Sequence, residues 1–192
     1  SDLAEKLSGK GDTSQKLTLM KTSADSLKKS ADALNDSSLW EKKKIKKKDE
    51  KTGEEIAVED YDWDKITKAV KSFVEDYNDV VKEAGESNTK DVLRNASWMT
   101  GMTDKNSNML AKIGITIGKG NKLELDEDAL KQADISSLKT VFTGYNSFVS
   151  KISQKATGIS NAANRASATY TNNGTYSKTD SSLTSSKIDK EV

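Results

Sequence analysis

The chain contains no proline among its 192 residues, although average usage of about 5% would supply about ten. Proline breaks a helix because it lacks an N–H group and clashes with the preceding turn. A chain of this length without proline can therefore form long, uninterrupted helices. We expect a fold that is mainly α with a small amount of β structure.

Cysteine and histidine are absent as well. Their absence excludes disulfides, thiolate nucleophiles, Cys/His zinc sites, Ser-His-Asp triads and imidazole acid–base catalysis. A metal held by oxygen ligands would need a carboxylate cluster that the sequence does not supply. We therefore expect a protein that is not an enzyme, with no catalytic, cofactor-binding or metal-binding residues and no small-molecule substrate.

The charge balance argues against two classes of partner. Charged residues make up 32% of the chain, yet the net charge is only +1, so bulk charge favours neither nucleic acid nor an anionic membrane. No apolar run approaches the ~20 residues of a membrane-spanning helix, and no signal peptide is recognisable. Hydrophobic residues reach only 33%, which predicts a thin core.

Two segments carry narrow apolar stripes at helical spacing. In 17–34 the apolar positions alternate three and four residues apart, as in a heptad seam, and a similar pattern follows in 138–170, where Gly144 is a candidate interruption. Both stripes contain alanines, which favour close packing, so we expect an antiparallel, coiled-coil-like stalk. The predicted interaction seam consists of Leu17, Met20, Ala24, Leu27, Ala31, Leu34, Tyr145, Phe148, Ile152, Ile159 and Ala163.

Residues 42–48 contain six lysines, and residues 49–64 contain eight acidic residues. If the chain turns at 49–53, Ile45 faces Val58 and Lys48 faces Glu55, and pairs of this kind stabilise a β-hairpin. The same register places Trp40 opposite Trp63. A solvated helical charge run and an anion-binding patch are the alternatives; the patch predicts binding that weakens steeply with salt.

The segment 62–85 predicts the main core helix, with Asp62 or Asp64 at its start and Gly85 at its end. Four aromatic residues on helical stripes are predicted to lie in the core, and two further tyrosines are predicted to stay exposed at an interface. The core residues are Phe73, Tyr77, Trp98 and Phe142, and the exposed ones are Tyr145 and Tyr170.

Residues 112–133, "KIGITIGKGNKLELDEDALKQA", invite a chemical interpretation. The glycines and Lys119 come close to a phosphate-binding loop, but they lack its spacing and its Ser or Thr after the lysine. The acidic residues do not follow a calcium-loop pattern. A β-hairpin over 113–125, followed by a helix capped by Asp126, accounts for the same residues.

Four segments, in this order, resemble the flagellar filament-cap family, hook-associated protein FliD. They are "FVEDYN" (Phe73, Val74, Tyr77, Asn78), "LAKIGI" (Leu110, Ile113, Gly114, Ile115), "LELDEDALKQA" (Leu123, Leu125, Asp126, Glu127, Leu130, Lys131, Ala133) and "VF" (Val141, Phe142). The similarity covers about residues 66–142 and points to a short relative of the C-terminal module.

The resemblance implies a structural protein of the bacterial flagellum, exported without a cleaved signal and located outside the cell. It implies flagellin or other flagellar subunits as partners, with self-association as a further possibility, and contacts made through helices. A cytoplasmic helical adaptor or chaperone-like module is the alternative function. The predicted organisation is an N-terminal stalk helix (1–38), a charged β-hairpin (39–63), a compact helical module (64–134), a C-terminal stalk helix (135–170) and a disordered tail (171–192).

Overall fold

A computed structural model describes residues 11–174. In that range seven α-helices alternate with two antiparallel two-stranded sheets. The helices are α1 (Ser14–Leu34), α2 (Trp63–Gly85), α3 (Lys90–Lys105), α4 (Ser107–Ala111), α5 (Glu127–Gln132), α6 (Ile135–Phe142) and α7 (Phe148–Gly174). The strands are β1 (Lys43–Lys48), β2 (Glu55–Asp60), β3 (Ile115–Ile117) and β4 (Leu123–Leu125), and short 3-10 turns cover Ser37–Trp40 and Lys119–Asn121. The predicted fold class is confirmed.

Helices α1 and α7 form the most extensive contact between two helices of the described chain. They run antiparallel, since Asp25 contacts Ser160 and Asp32 contacts Ser153. Helix α2 packs along α1 as well, and α3 packs on α7. The N-terminal and C-terminal helices therefore pair as predicted, and α2 joins them in a three-helix unit.

The helix boundaries differ from the predicted ones where polar side chains intervene. Helix α1 ends at Leu34, and the side-chain amide of the following Asn35 both donates to and accepts from the backbone of Gly144. The single helix predicted over 135–170 is two helices, because the chain turns at Gly144, whose φ is +102°. Helix α7 continues to Gly174. The rest of the predicted tail and residues 1–10 lie outside the described residues.

The β1–β2 hairpin has the predicted register: Lys44 pairs with Glu59, Ile45 with Val58 and Lys48 with Glu55. The expected pairing of Trp40 with Trp63 is wrong, since both residues lie outside the strands. Trp40 is buried in its 3-10 turn, stacks on Phe142 with ring centroids 5.6 Å apart, and donates from Nε1 to the Leu34 carbonyl at 2.7 Å. Trp40 is stable in the core because its large aromatic surface is buried while its indole N–H keeps a hydrogen bond.

Residues 112–133 form the predicted hairpin and capped helix. Ile115 pairs with Leu125, and the Asp126 carboxylate accepts from the Ala129 N–H at 3.1 Å at the start of α5. Gly114 lies at the hairpin base with φ +91°, and its carbonyl accepts from the Asp126 N–H at 2.8 Å. This glycine is needed twice over, for its backbone conformation and for the close approach of the segment that follows β4.

The segment before α1 is held by a buried carboxylate. Asp12 accepts hydrogen bonds from the hydroxyls of Ser87 and Thr89, both at 2.6 Å, and from the backbone N–H of Asn88 at 2.8 Å. These donors lie in the turn between α2 and α3. Thr13 is the N-cap of α1, which leaves the Asp12 carboxylate for this contact.

Replacing Gly114 by alanine should lower the free energy of unfolding by about 1–3 kcal/mol, because a side chain there must adopt a positive φ. Its Cβ would also lie 2.7 Å from the Asp126 carbonyl oxygen. Urea unfolding measures the change. Gly101→Ala is the control, since no atom lies within 4 Å of that added Cβ and alanine improves helix propensity in α3 by up to about 1 kcal/mol. Equal effects of the two substitutions would contradict the assignment.

Replacing Asp12 by alanine should destabilise the protein by about 1–3 kcal/mol, since it removes the acceptor of three hydrogen bonds and leaves buried donors without a partner. Thermal unfolding followed by circular dichroism checks this. Asp79→Ala, at an exposed position of α2, should change stability by no more than about 0.5 kcal/mol. An Asp12 variant as stable as the Asp79 variant would show that the carboxylate does not hold the segment in place.

Candidate interaction surfaces

The predicted interaction seam lies almost wholly inside the chain. Ten of its eleven residues are buried, and only Tyr145 is exposed, with 84% of its surface accessible. The other tyrosine predicted to stay exposed, Tyr170, has its side chain outside the described part of the structure. The buried members of the seam pack in the core that α1, α2 and α7 share. Apart from Tyr145, any surface that a partner contacts on the folded chain must therefore be built from residues outside the seam.

Two hydroxyl–carboxylate contacts join α1 to α7 beside this core. Ser160 Oγ donates to Asp25 Oδ1 at 2.6 Å, and Ser153 Oγ donates to Asp32 Oδ1 at 2.7 Å. Both aspartates and both serines are separated by one heptad, so the contacts recur with the period of the seam. Sequence reasoning missed them because it followed only apolar positions; the matching seven-residue spacing was the available signal.

A lysine one turn before each aspartate completes the pattern. Lys21 Nζ lies 2.8 Å from Asp25 Oδ2, and Lys28 Nζ lies 2.6 Å from Asp32 Oδ2. Burial raises the pKa of both carboxyls, but the hydrogen bonds from the lysine and from the serine of α7 outweigh it. Both pKa values therefore lie below the ordinary value of an aspartate.

Among the side chains that the structure describes, Trp98 on α3 has the most exposed aromatic ring of any helix, with 64% of its surface accessible. The prediction that Trp98 lies in the core is wrong, because the buried face of α3 is taken by Val92, Ala96, Met99 and Thr103. The Lys155 ammonium of α7 lies 4.0 Å from the centroid of the Trp98 ring. This cation–π contact holds the ring over the α3–α7 boundary.

Two arginines lie along the same α3–α7 boundary and share one carboxylate. Arg94, one turn before Trp98, pairs with Asp91 at 3.0 Å, and Arg165 of α7 reaches the same carboxylate at 4.0 Å. We call the group formed by Arg94, Trp98, Lys155 and Arg165 the Trp98 surface. Tryptophan and arginine are both enriched at protein–protein interfaces.

Residues that carry the family resemblance lie in the core or join one element of the fold to another. Phe73 and Tyr77 are buried, and the Tyr77 hydroxyl donates to Thr103 Oγ1 at 2.7 Å; burial raises the pKa of Tyr77 to about 12. The Asn78 side chain accepts from the Leu123 N–H at 2.7 Å and donates to its carbonyl at 3.0 Å. The "FVEDYN" and "LELDED" segments thus contact each other directly, and Asn78 fixes β4 to α2.

Between residues 11 and 174, no group of three or more acidic, histidine or cysteine side chains is arranged to hold a metal ion. In that same range, no helix combines the length and the apolar character that crossing a membrane requires.

The lowered pKa values of Asp25 and Asp32 predict that the stability of the protein depends on pH. A pKa lowered in the folded state stabilises the protein above the unfolded value of about 3.9, and this contribution is lost as the pH falls through the folded value. The double variant Asp25→Asn, Asp32→Asn should therefore lose less melting temperature than the parent between about pH 5 and about pH 3. Asp128→Asn, at an exposed position, is the control and should follow the parent. Parallel curves for all three proteins would contradict the linkage.

Comparison with known families supplies the remaining observation. No curated protein and no solved structure matches the chain significantly. The family model described as flagellar hook-associated protein 2 C-terminus matches residues 87–191, which is more than half of the chain. The matched range includes α3, the β3–β4 hairpin and α7, and with them the whole Trp98 surface. The chain therefore belongs to the flagellar hook-associated protein 2 C-terminus family.

Proposed function

We propose that this protein is a structural and assembly component of a bacterial flagellum, related to the filament cap, and that it works outside the cell by contacting flagellar subunits. The observation that carries the proposal is the family match over residues 87–191. Flagellin or another flagellar subunit is the proposed partner, and the protein is proposed to act without catalysis.

The geometry supports contact through the Trp98 surface rather than through the predicted seam. Ten of the eleven seam residues are buried in the chain's own core, whereas Trp98 is exposed and lies in the part of the chain that the family model matches. A tryptophan can bury a large apolar area in a partner's pocket at low entropic cost. The three basic groups outnumber the single Asp91 carboxylate that lies among them, which favours an acidic rim around that pocket. The proposed contact is therefore made by residues on two neighbouring helices and needs no melting of the bundle.

Trp98→Ala should weaken binding to purified flagellin of the same bacterium by roughly tenfold or more, which is the effect of truncating an interface tryptophan. Isothermal titration calorimetry gives the dissociation constant. Leu19→Ala is the matched control, since Leu19 is an exposed apolar residue on α1, outside the Trp98 surface, and it should bind as the parent does. If both variants bound flagellin with the parental affinity, the Trp98 surface would not be the contact.

Location in the cell tests the broader proposal independently of that surface. Immunogold labelling of intact cells that make the protein should place it on flagella, at or near the filament tip. Label found only in the cytoplasm of sectioned cells would overturn the flagellar role and would favour the helical adaptor.

A further inference from the structure

Within residues 11–174, no further strand covers either edge of the β1–β2 hairpin. Its sheet contains only these two strands among the described residues, and neither strand makes extensive contact with a helix. It is attached at its base, where Lys42 lies 5.7 Å from the Tyr61 ring centroid and Tyr61 packs edge-on against Trp63. An isolated two-stranded hairpin is only marginally stable in water, so it benefits from a further strand.

The register identifies which backbone groups are available on those edges. The Asp49 N–H donates to the Glu54 carbonyl, so this pair is hydrogen-bonded across the hairpin. Hydrogen-bonded and non-hydrogen-bonded pairs alternate along an antiparallel ladder. The pairs Lys44–Glu59, Lys46–Ala57 and Lys48–Glu55 are therefore the non-hydrogen-bonded ones, and their N–H and C=O groups point away from the hairpin.

The two edges carry opposite charge. All three residues that direct backbone groups outward from β1 are lysines, whereas those of β2 are Glu55, Ala57 and Glu59. Like charges directly opposite each other destabilise a strand pair. Two β1 edges would place lysine against lysine, and two β2 edges would place glutamate against glutamate. Only a β1 edge against a β2 edge brings opposite charges together.

We propose that copies of this chain associate through the hairpin, with the β1 edge of one copy pairing antiparallel with the β2 edge of the next. The two strands are compatible with each other, because β1 and β2 already pair antiparallel within each copy, with Lys44 opposite Glu59 and Lys48 opposite Glu55. Lysines on an edge strand discourage pairing with most other strands. An acidic strand can still pair with the lysines of β1, because opposite charges across a strand pair are favourable. The contact uses different surfaces on the two partners, so each copy keeps one edge free and the assembly continues until it closes.

The other face of the hairpin supports the same arrangement. Ile45, Ile56 and Val58 lie on one face, and Ile56 has 43% of its surface exposed. A neighbouring hairpin in the same sheet would place its own copies of these residues beside them, forming a larger apolar surface than one hairpin has. The face also carries an ion pair between Lys47 and Asp60, whose hydrogen bonds from Lys47 and the Tyr61 N–H hold the pKa of Asp60 below its ordinary value.

Cysteine cross-linking tests the pairing cleanly, because the chain contains no cysteine of its own. Lys46→Cys and Ala57→Cys are made in separate chains and mixed under mild oxidation. Hydrogen-bonded antiparallel partners have Cα atoms about 5.5 Å apart, within the range of a disulfide. The mixture should form a disulfide-linked dimer of one variant with the other at low salt, and this mixed dimer should decrease at high salt. Leu19→Cys, an exposed position on α1, replaces one of the two variants in the control mixture. The proposal is overturned if the yield of mixed dimer is no higher than in the control mixture. It is also overturned if each variant links mainly to itself.

Proline substitutions test the direction of assembly by a second route. Lys46→Pro and Ala57→Pro each remove an outward N–H group while the hydrogen-bonded pairs inside the hairpin remain. In sedimentation velocity the parent should associate with increasing concentration, each proline variant alone should stay monomeric, and their mixture should give a one-to-one dimer that does not grow. Ala57→Thr, which keeps the N–H, should associate as the parent does. A parent that is monomeric at every concentration, or proline variants that associate like it, would overturn the proposal.

The inference is independent of the flagellar role, since both experiments use the purified full chain alone. Loss of flagellar label or of flagellin binding would leave the cross-linking result unchanged. Failure of the cross-link would likewise leave the family membership and the proposed Trp98 contact in place.

Discussion

The antiparallel contact between α1 and α7 is the interaction on which the rest of the structure depends. Ala24, Ala31 and Ala156 are fully buried there, and such small side chains allow two helix backbones to approach closely. A chain with only 33% hydrophobic residues cannot build a wide core, so it obtains burial by bringing long helices close together. The recurring serine–aspartate contacts then fix the axial alignment, because a shift along the seam would break both of them at once.

Within this frame, the residues that resemble the flagellar family are mostly structural. Asn78 joins α2 to β4, Gly114 allows the hairpin base to form, and Asp126 starts α5. Each of them is needed by the local geometry of this chain. The exposed surfaces of the chain lie elsewhere, on the α3–α7 boundary and on the β1–β2 hairpin.

Periodicity and charge predicted the elements that depend on local pattern. The β1–β2 register followed from opposite charges and β-branched residues at paired positions, and the capped α5 followed from a single aspartate before an apolar run. Contacts between distant segments could not be predicted in this way. Trp98 and the buried Met99 are neighbours on α3, so their side chains point in different directions around the helix axis. The apolar pattern of one helix does not show which of these directions faces the neighbouring helix. The buried Asp12 likewise depends on a turn more than seventy residues away, for which local sequence has no signal.

The antiparallel arrangement also gives the molecule two unlike poles. Helix α1 begins and α7 ends at one pole, near Asp12 and the turn between α2 and α3, while the β1–β2 hairpin, Asn35 and the turn at Gly144 lie at the other. Additional residues placed at the hairpin tip, around Gly53, would extend the far pole without entering any helix contact. Because the entropic cost of closing a loop rises only slowly with its length, this architecture can acquire a larger outer part while its bundle stays the same.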